Sequence, residues 1–80
     1  VKTITYNARA DRQLSRMAPD AAERIEAKIE RYAETGEGDV KAMKGSPTLR
    51  LRVGDYRVIF TEDYEVLDVL DVGHRSGVYQ

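Results

Sequence analysis

The chain has 80 residues with no cysteine and a single histidine, and its 13 basic and 14 acidic side chains leave a net charge of −1. That length fits one domain over residues 1–80 with a small core, since a chain this short buries only about 60% of the surface its unfolded form exposes. Disulfides and thiolate metal sites are excluded, a lone His74 argues against zinc, no apolar run approaches the roughly 20 residues of a membrane span, and VKTITYN lacks a signal peptide's apolar stretch; the expected setting is a reducing cytoplasm, with no membrane partner.

Residues 2–6 alternate as a short strand. Asn7 is placed to cap a helix that carries Ala10, Leu14, Met17 and Ala18 on one stripe, and Pro19 is expected to end it. Asp20 with Glu23 three residues on has the pattern of a capping box opening a second helix. On that helix Ala22, Ile25, Ile29, Tyr32 and Ala33 form one apolar arc. Arg24, Lys28 and Arg31 form a basic ridge beside the arc, and Glu26, Glu30 and Glu34 an acidic one. Gly36 supplies the stop, and Gly36–Asp39 is read as loop.

The period then changes from helical to two. Leu49–Val53 and Tyr56–Phe60 read as strands joined by Gly54-Asp55, and Val66–Gly73 as a last strand after a polar turn. Turns so short force antiparallel pairing. The expected fold is α+β: two N-terminal helices on one face of a small, mainly antiparallel four-stranded sheet, in the order β-α-α-β-β-β, with the other face open.

Charge is unevenly placed along this order. Residues 41–57 hold five basic groups and one acid, net +4, while residues 58–72 hold five acids and no base. With Gly54-Asp55 as the turn, Val53 faces Tyr56, Arg52 faces Arg57, Leu51 faces Val58 and Arg50 faces Ile59. Alternation then sends Leu49, Leu51, Val53, Val58 and Phe60 to the core, and Arg50, Arg52 and Arg57 to the opposite side. Like charges directly across a sheet destabilise it by a few tenths of a kcal/mol or more. One explanation is an exposed face that tolerates arginines or pairs them with acids such as Asp68. The other is an anion site, because guanidinium groups fork onto phosphate oxygens and stay charged at any working pH. Lys41 and Lys44, just upstream, suit a polyphosphate ligand. Strict alternation puts His74 with the arginines and Arg75 on the core side, unless Gly73 forms a bulge that resets the parity.

The run LRLRVGDYRVIF (49–60), followed by Val72-Gly73-His74-Arg75 and Val78-Tyr79, resembles the RelE/ParE toxin superfamily of type II toxin-antitoxin systems. Lys41–Gly45 is similar to the family's loop before the first arginine-bearing strand. The resemblance runs the length of the chain. It implies a ribosome-dependent endoribonuclease that cuts mRNA, inhibits translation and uses no metal or other cofactor. Its partners would be the ribosome, mRNA and a cognate antitoxin that neutralises it in a hetero-oligomer. The family's catalytic positions correspond to Arg57, Arg75, Tyr79 and Arg50. The first basic residue of the Arg50 strand falls at Thr48, where this chain has none.

On that resemblance Arg57 would contact the scissile phosphate, Arg75 would assist there or at the leaving oxygen, and Tyr79 would stack on a base. Arg50, Arg52, Lys41 and Lys44 would hold flanking phosphates. His74 is the side chain best suited by intrinsic pKa to general acid–base work. Two other readings stay open: a ParE-like inhibitor of DNA gyrase, and an inactive homologue that keeps only antitoxin binding.

Overall fold

The computed structural model describes residues 2–74. In chain order these form β1 (Thr3–Tyr6), α1 (Ala8–Ser15), α2 (Pro19–Thr35), β2 (Asp39–Ala42), β3 (Leu49–Val53), β4 (Tyr56–Glu62) and β5 (Val66–His74). The sheet has five strands, not the expected four, in the order β1-β5-β4-β3-β2. The extra strand, β2, begins inside the segment read as loop. Its four residues, DVKA, hold one half-buried apolar side chain, Val40, so its period is too short to detect. Pairing with β3 creates it, from Asp39 opposite Arg52 to Ala42 opposite Leu49. Short charged strands of this kind are typical at sheet edges. Among the described strands only β1 and β5 pair in parallel.

The helices begin and end differently from the sequence expectation. Asn7 caps α1 as expected, its side chain accepting from the Ala10 N–H at 2.8 Å. The helix nevertheless stops at Ser15, four residues before Pro19. Pro19 opens α2 instead, at a position where its missing N–H costs nothing. The residue before a proline is pushed out of the helical region, and Ala18 is extended there with ψ 137°. Asp20 therefore lies in the first turn, where its charge suits the helix dipole, and does not cap. Gly36 ends α2 in the left-handed conformation at φ 77°, its N–H returning to the Tyr32 carbonyl.

Both helices pack on one face of the sheet. Ala10 and Leu14 of α1 and Ile25, Ile29 and Ala33 of α2 close over Leu51, Val53, Val58, Phe60, Leu67, Val69 and Val72. In β3 and β4 the helix-facing residues are those the alternation assigned to the core, with Leu49 only half-buried at the rim, and β5 adds Leu67, Val69 and Val72. Phe60, 1% exposed, is the largest side chain in this core and meets the Tyr32 ring edge-on. Beyond the end of β1, α1 takes over the role of an edge strand. Gln13 accepts the Val72 N–H at 2.6 Å and donates to Asp71 at 2.6 Å, so a side chain satisfies the open edge of β5. Among the described residues no helix covers the opposite face of the sheet, and none is long and apolar enough to cross a membrane.

Candidate nucleic-acid interface

The β3–β4 hairpin has the register read from the sequence: Val53 opposite Tyr56, Arg52 opposite Arg57, Leu51 opposite Val58, Arg50 opposite Ile59. Gly54 takes φ 57°, and among the described residues only glycines have positive φ, so Asp55 does not share that conformation. This is the φ pattern of a II′ turn, whose twist matches the strands it joins. A tight turn of this kind fixes the register, and the register fixes which way every arginine points.

Two rows of side chains cross the helix-free face. One runs Asp39, Arg52, Arg57, Gly73 from β2 to β5, and the next runs Lys41, Arg50, Ile59, Asp71. Arg50, Arg52, Arg57 and Lys41 therefore share one face on three adjacent strands. Arg52 and Lys41 are exposed, and Arg50 and Arg57 are half-buried. Ile59, 9% exposed on this face, is buried but lies outside the helix-packed cluster. Half-buried arginines beside it fit long aliphatic stems lying on apolar surface, and the Nε of Arg57 is itself buried. Gly73 puts no side chain on the β5 flank of Arg57, which favours close approach to that guanidinium. Lys44 is exposed in the connection between β2 and β3. Thr48, in place of the missing base, closes that connection, with its hydroxyl 2.8 Å from Ser46 Oγ and its carbonyl accepting the Met43 N–H.

His74 does not join the arginines. Between the Ile59–Asp71 and Phe60–Val69 pairs, Leu70 is left without a cross-strand partner. This bulge resets the parity of β5 three residues before Gly73, which itself pairs regularly with Arg57. His74 consequently lies opposite Tyr56, on the helix side, with the two rings edge-to-face at 5.8 Å. Arg75 and Tyr79 lie outside the described residues. Sequence reasoning did not place Asp39, Asp71 and Ile59 on this face. Asp39 required the unseen strand, and Asp71 required the bulge. Ile59 could have been found, since it is opposite Arg50 in the register already deduced.

A second polar cluster occupies the far end of β4, away from the hairpin turn. Glu62 accepts from the Tyr32 hydroxyl at 2.5 Å and from the Lys2 ammonium. Burial works to raise the Glu62 carboxyl's pKa, but the bonds from Lys2 and Tyr32 outweigh it and hold the group below its ordinary range. Burial, followed by the bond to Glu62 and its charge, pushes the Tyr32 phenol up to about 12. On the helix side the Tyr6 phenol is also raised to about 12, by burial and then by the carboxylates of Glu26 and Glu30.

A family model described as ParE toxin of type II toxin-antitoxin system, parDE, matches residues 4–79. Several solved structures share the fold. The archaeal RelE–RelB complex from Pyrococcus horikoshii OT3 superposes with a TM-score of 0.79 at 19% identity, covering 96% of this chain and 98% of that one. The RelB–RelE antitoxin-toxin complex from Methanococcus jannaschii gives 0.75 at 22%, with 94% of each chain covered. The YoeB dimer from Staphylococcus aureus gives 0.75 at 13%, covering 91% and 95%. No curated protein matches the sequence.

Proposed function

The chain belongs to the ParE toxin family of type II toxin-antitoxin systems, and from that premise we propose that it acts in the cytoplasm as a ribosome-dependent endoribonuclease that stops translation by cutting messenger RNA, held in check by a cognate antitoxin. One observation carries this reading: Arg50, Arg52, Arg57 and Lys41 converge on the sheet face that no described helix covers. Arg52 directly opposite Arg57 works against the sheet. A phosphate backbone is the ligand that rewards it.

The reaction needs little from the protein beyond placement and charge. The RNA 2′-hydroxyl attacks the adjacent phosphorus, and the 5′-oxygen leaves with a proton. The products are a 2′,3′-cyclic phosphate and a 5′-hydroxyl. Arg57, central on the face and flanked by Gly73, contacts the scissile phosphate and offsets charge on the phosphorane. Arg50 grips a neighbouring phosphate and keeps the attack in line. Lys41, Lys44 and Arg52 hold the strand on either side. Arg75 assists at the same phosphate or the leaving oxygen, and Tyr79 stacks on a base. His74, across the sheet with Tyr56, takes no part in this step.

The test is ribosome-dependent cutting of a defined messenger by the whole chain and by Arg57→Ala and Arg75→Ala. Each variant should cut about 10²–10³ times more slowly, the loss typical of one charge-stabilising donor. Undiminished cutting by both rejects the assignment. Thr48, where the resemblance calls for a base, favours a second reading in which the same face is a binding surface and the target is DNA gyrase. A supercoiling assay beside the translation assay separates the two.

A further inference from the structure

The basic ridge of α2 is not spread evenly over solvent. Arg31, at its C-terminal end, is bonded to Glu37 at 2.7 Å. Arg24 and Lys28, one turn apart, form no hydrogen bond or ion pair among the described residues. Both line a cleft of about 300 Å³ between α2 and the β3–β4 hairpin, whose other walls are Val53, Gly54, Asp55 and Tyr56. Two features set this cleft apart from a solvated helix face. Val53 and Tyr56 give it an apolar and aromatic lining, and the Tyr56 ring packs edge-to-face with His74. Its position is also fixed relative to the arginines, because Val53 and Tyr56 are the chain neighbours of Arg52 and Arg57. The hairpin tip therefore has cations on both sides: Arg52 and Arg57 on the open face, Arg24 and Lys28 on the helical face. Among the described residues Asp55 is the one acid lining the cleft.

We propose that this cleft is a second RNA subsite, seating one nucleotide of single-stranded RNA that wraps round the β3–β4 turn from the open face, its base on Tyr56 and its phosphates on Arg24 and Lys28. The volume suits a single nucleotide: it is at the low end of ligand pockets, which begin near about 300 Å³. An aromatic floor under a cationic rim is the combination that holds single strands without reading sequence. The subsite rests on the reading of the open face as an RNA surface and extends its footprint.

The experiment is binding of a fluorescently labelled short oligouridylate to the full chain across a salt series. The parent is compared with three double variants: Arg24→Gln/Lys28→Gln, Arg50→Gln/Arg57→Gln, and the control Arg12→Gln/Arg16→Gln, which removes the same charge from α1 and its end. Glutamine keeps helix propensity close to that of the residues it replaces. Each phosphate contact on a single strand adds about 0.7 to the slope of log affinity against log salt. The α2 pair should lose about 1.4 of slope and bind roughly tenfold more weakly at low salt, while the control keeps the parent slope. Equal slopes for the α2 pair and the control overturn the subsite. So does an α2 pair that keeps its RNA slope but loses affinity for antitoxin, which makes the cleft a protein-docking surface. A reduced slope for the α2 pair with an unchanged slope for Arg50→Gln/Arg57→Gln supports the cleft and removes the open-face reading. A parent chain that binds no RNA removes both.

Discussion

Strand β4 joins two ends of the molecule that use charge in opposite ways. At its Glu62 end, charge is spent on structure. Glu62 takes bonds from Lys2 and Tyr32, tying β4 to the chain's start and to α2. Asp63 accepts the N–H groups of Glu65 and Val66, both at 2.8 Å, and so shapes the turn into β5. At its Tyr56 end, charge is placed against structure. Arg57 faces Arg52, and Arg24 and Lys28 across the turn have no counter-ion among the described residues. The net charge of −1 is the sum of these unlike ends and describes neither. Like charges gathered on one face are better evidence of a ligand than the total charge.

Substitutions at the two ends should therefore separate activity from stability. The largest effect is expected at the arginine end, where Arg57→Ala should slow cutting by about 10²–10³ with a far smaller change in unfolding free energy. At the other end Glu62→Gln should do the reverse. It removes the negative charge and one of the two oxygens that accept from Tyr32 and Lys2, and should cost about 1–3 kcal/mol in urea unfolding while the folded fraction cuts at the parental rate. A variant at either end that changes both readouts equally would dissolve the distinction.

The pH dependence sharpens it further. The Glu62 carboxyl is held below its ordinary value of 4.5, so its contribution to stability is present above that pH and is lost as pH falls through the lower folded-state value. Tyr32 has the opposite sign: its raised value means that stability is present below its ordinary 10.0 and is lost as pH climbs toward about 12. Unfolding free energy should therefore decline in acid below about pH 4.5 and in base above about pH 10, from this one cluster. Glu62→Gln should flatten the acid limb, as followed by urea midpoints at several pH values. An unchanged acid limb would mean that the cluster does not couple to folding.

How far the sequence revealed this molecule varied from element to element. The β3–β4 hairpin was legible residue by residue, because a two-residue turn with glycine first leaves one register and a strict period assigns each face. The basic face followed from that alone. Strand β2 was not legible, since four residues with one apolar position carry no period and the pairing partner lies ten residues on. Pro19 misled in the same way at the helix boundary, because a proline both stops one helix and starts another, and only backbone geometry tells which. His74 was misplaced by one unpaired residue. A bulge at Leu70 flips every later side chain of β5; the three-residue spacing of Asp68 and Asp71 breaks the alternation at that point, but the expectation sets the reset at Gly73 instead. The α2 cleft needed tertiary packing, because the basic ridge was visible in sequence but the hairpin that closes it into a cavity is about 25 residues away.

The smallest predicted effect tests most directly whether the arginines conflict with the fold. Arg52 has Asp39 as its neighbour on β2 and Arg57 on β4, so its surroundings hold one attractive and one repulsive charge. Threonine suits a strand and ends the repulsion, so Arg52→Thr should raise stability by a few tenths of a kcal/mol at low salt, and less as salt screens the pair. The same change should lower the RNA salt slope by about 0.7, one phosphate's worth. The gain and the loss belong together: if the arginine opposes folding and serves RNA, one substitution must move both in opposite directions. Threonine that destabilises the chain would mean that the Asp39 contact outweighs the Arg57 repulsion. The arginine pair would then be part of what holds the sheet together, and its place on the open face would need no ligand to explain it.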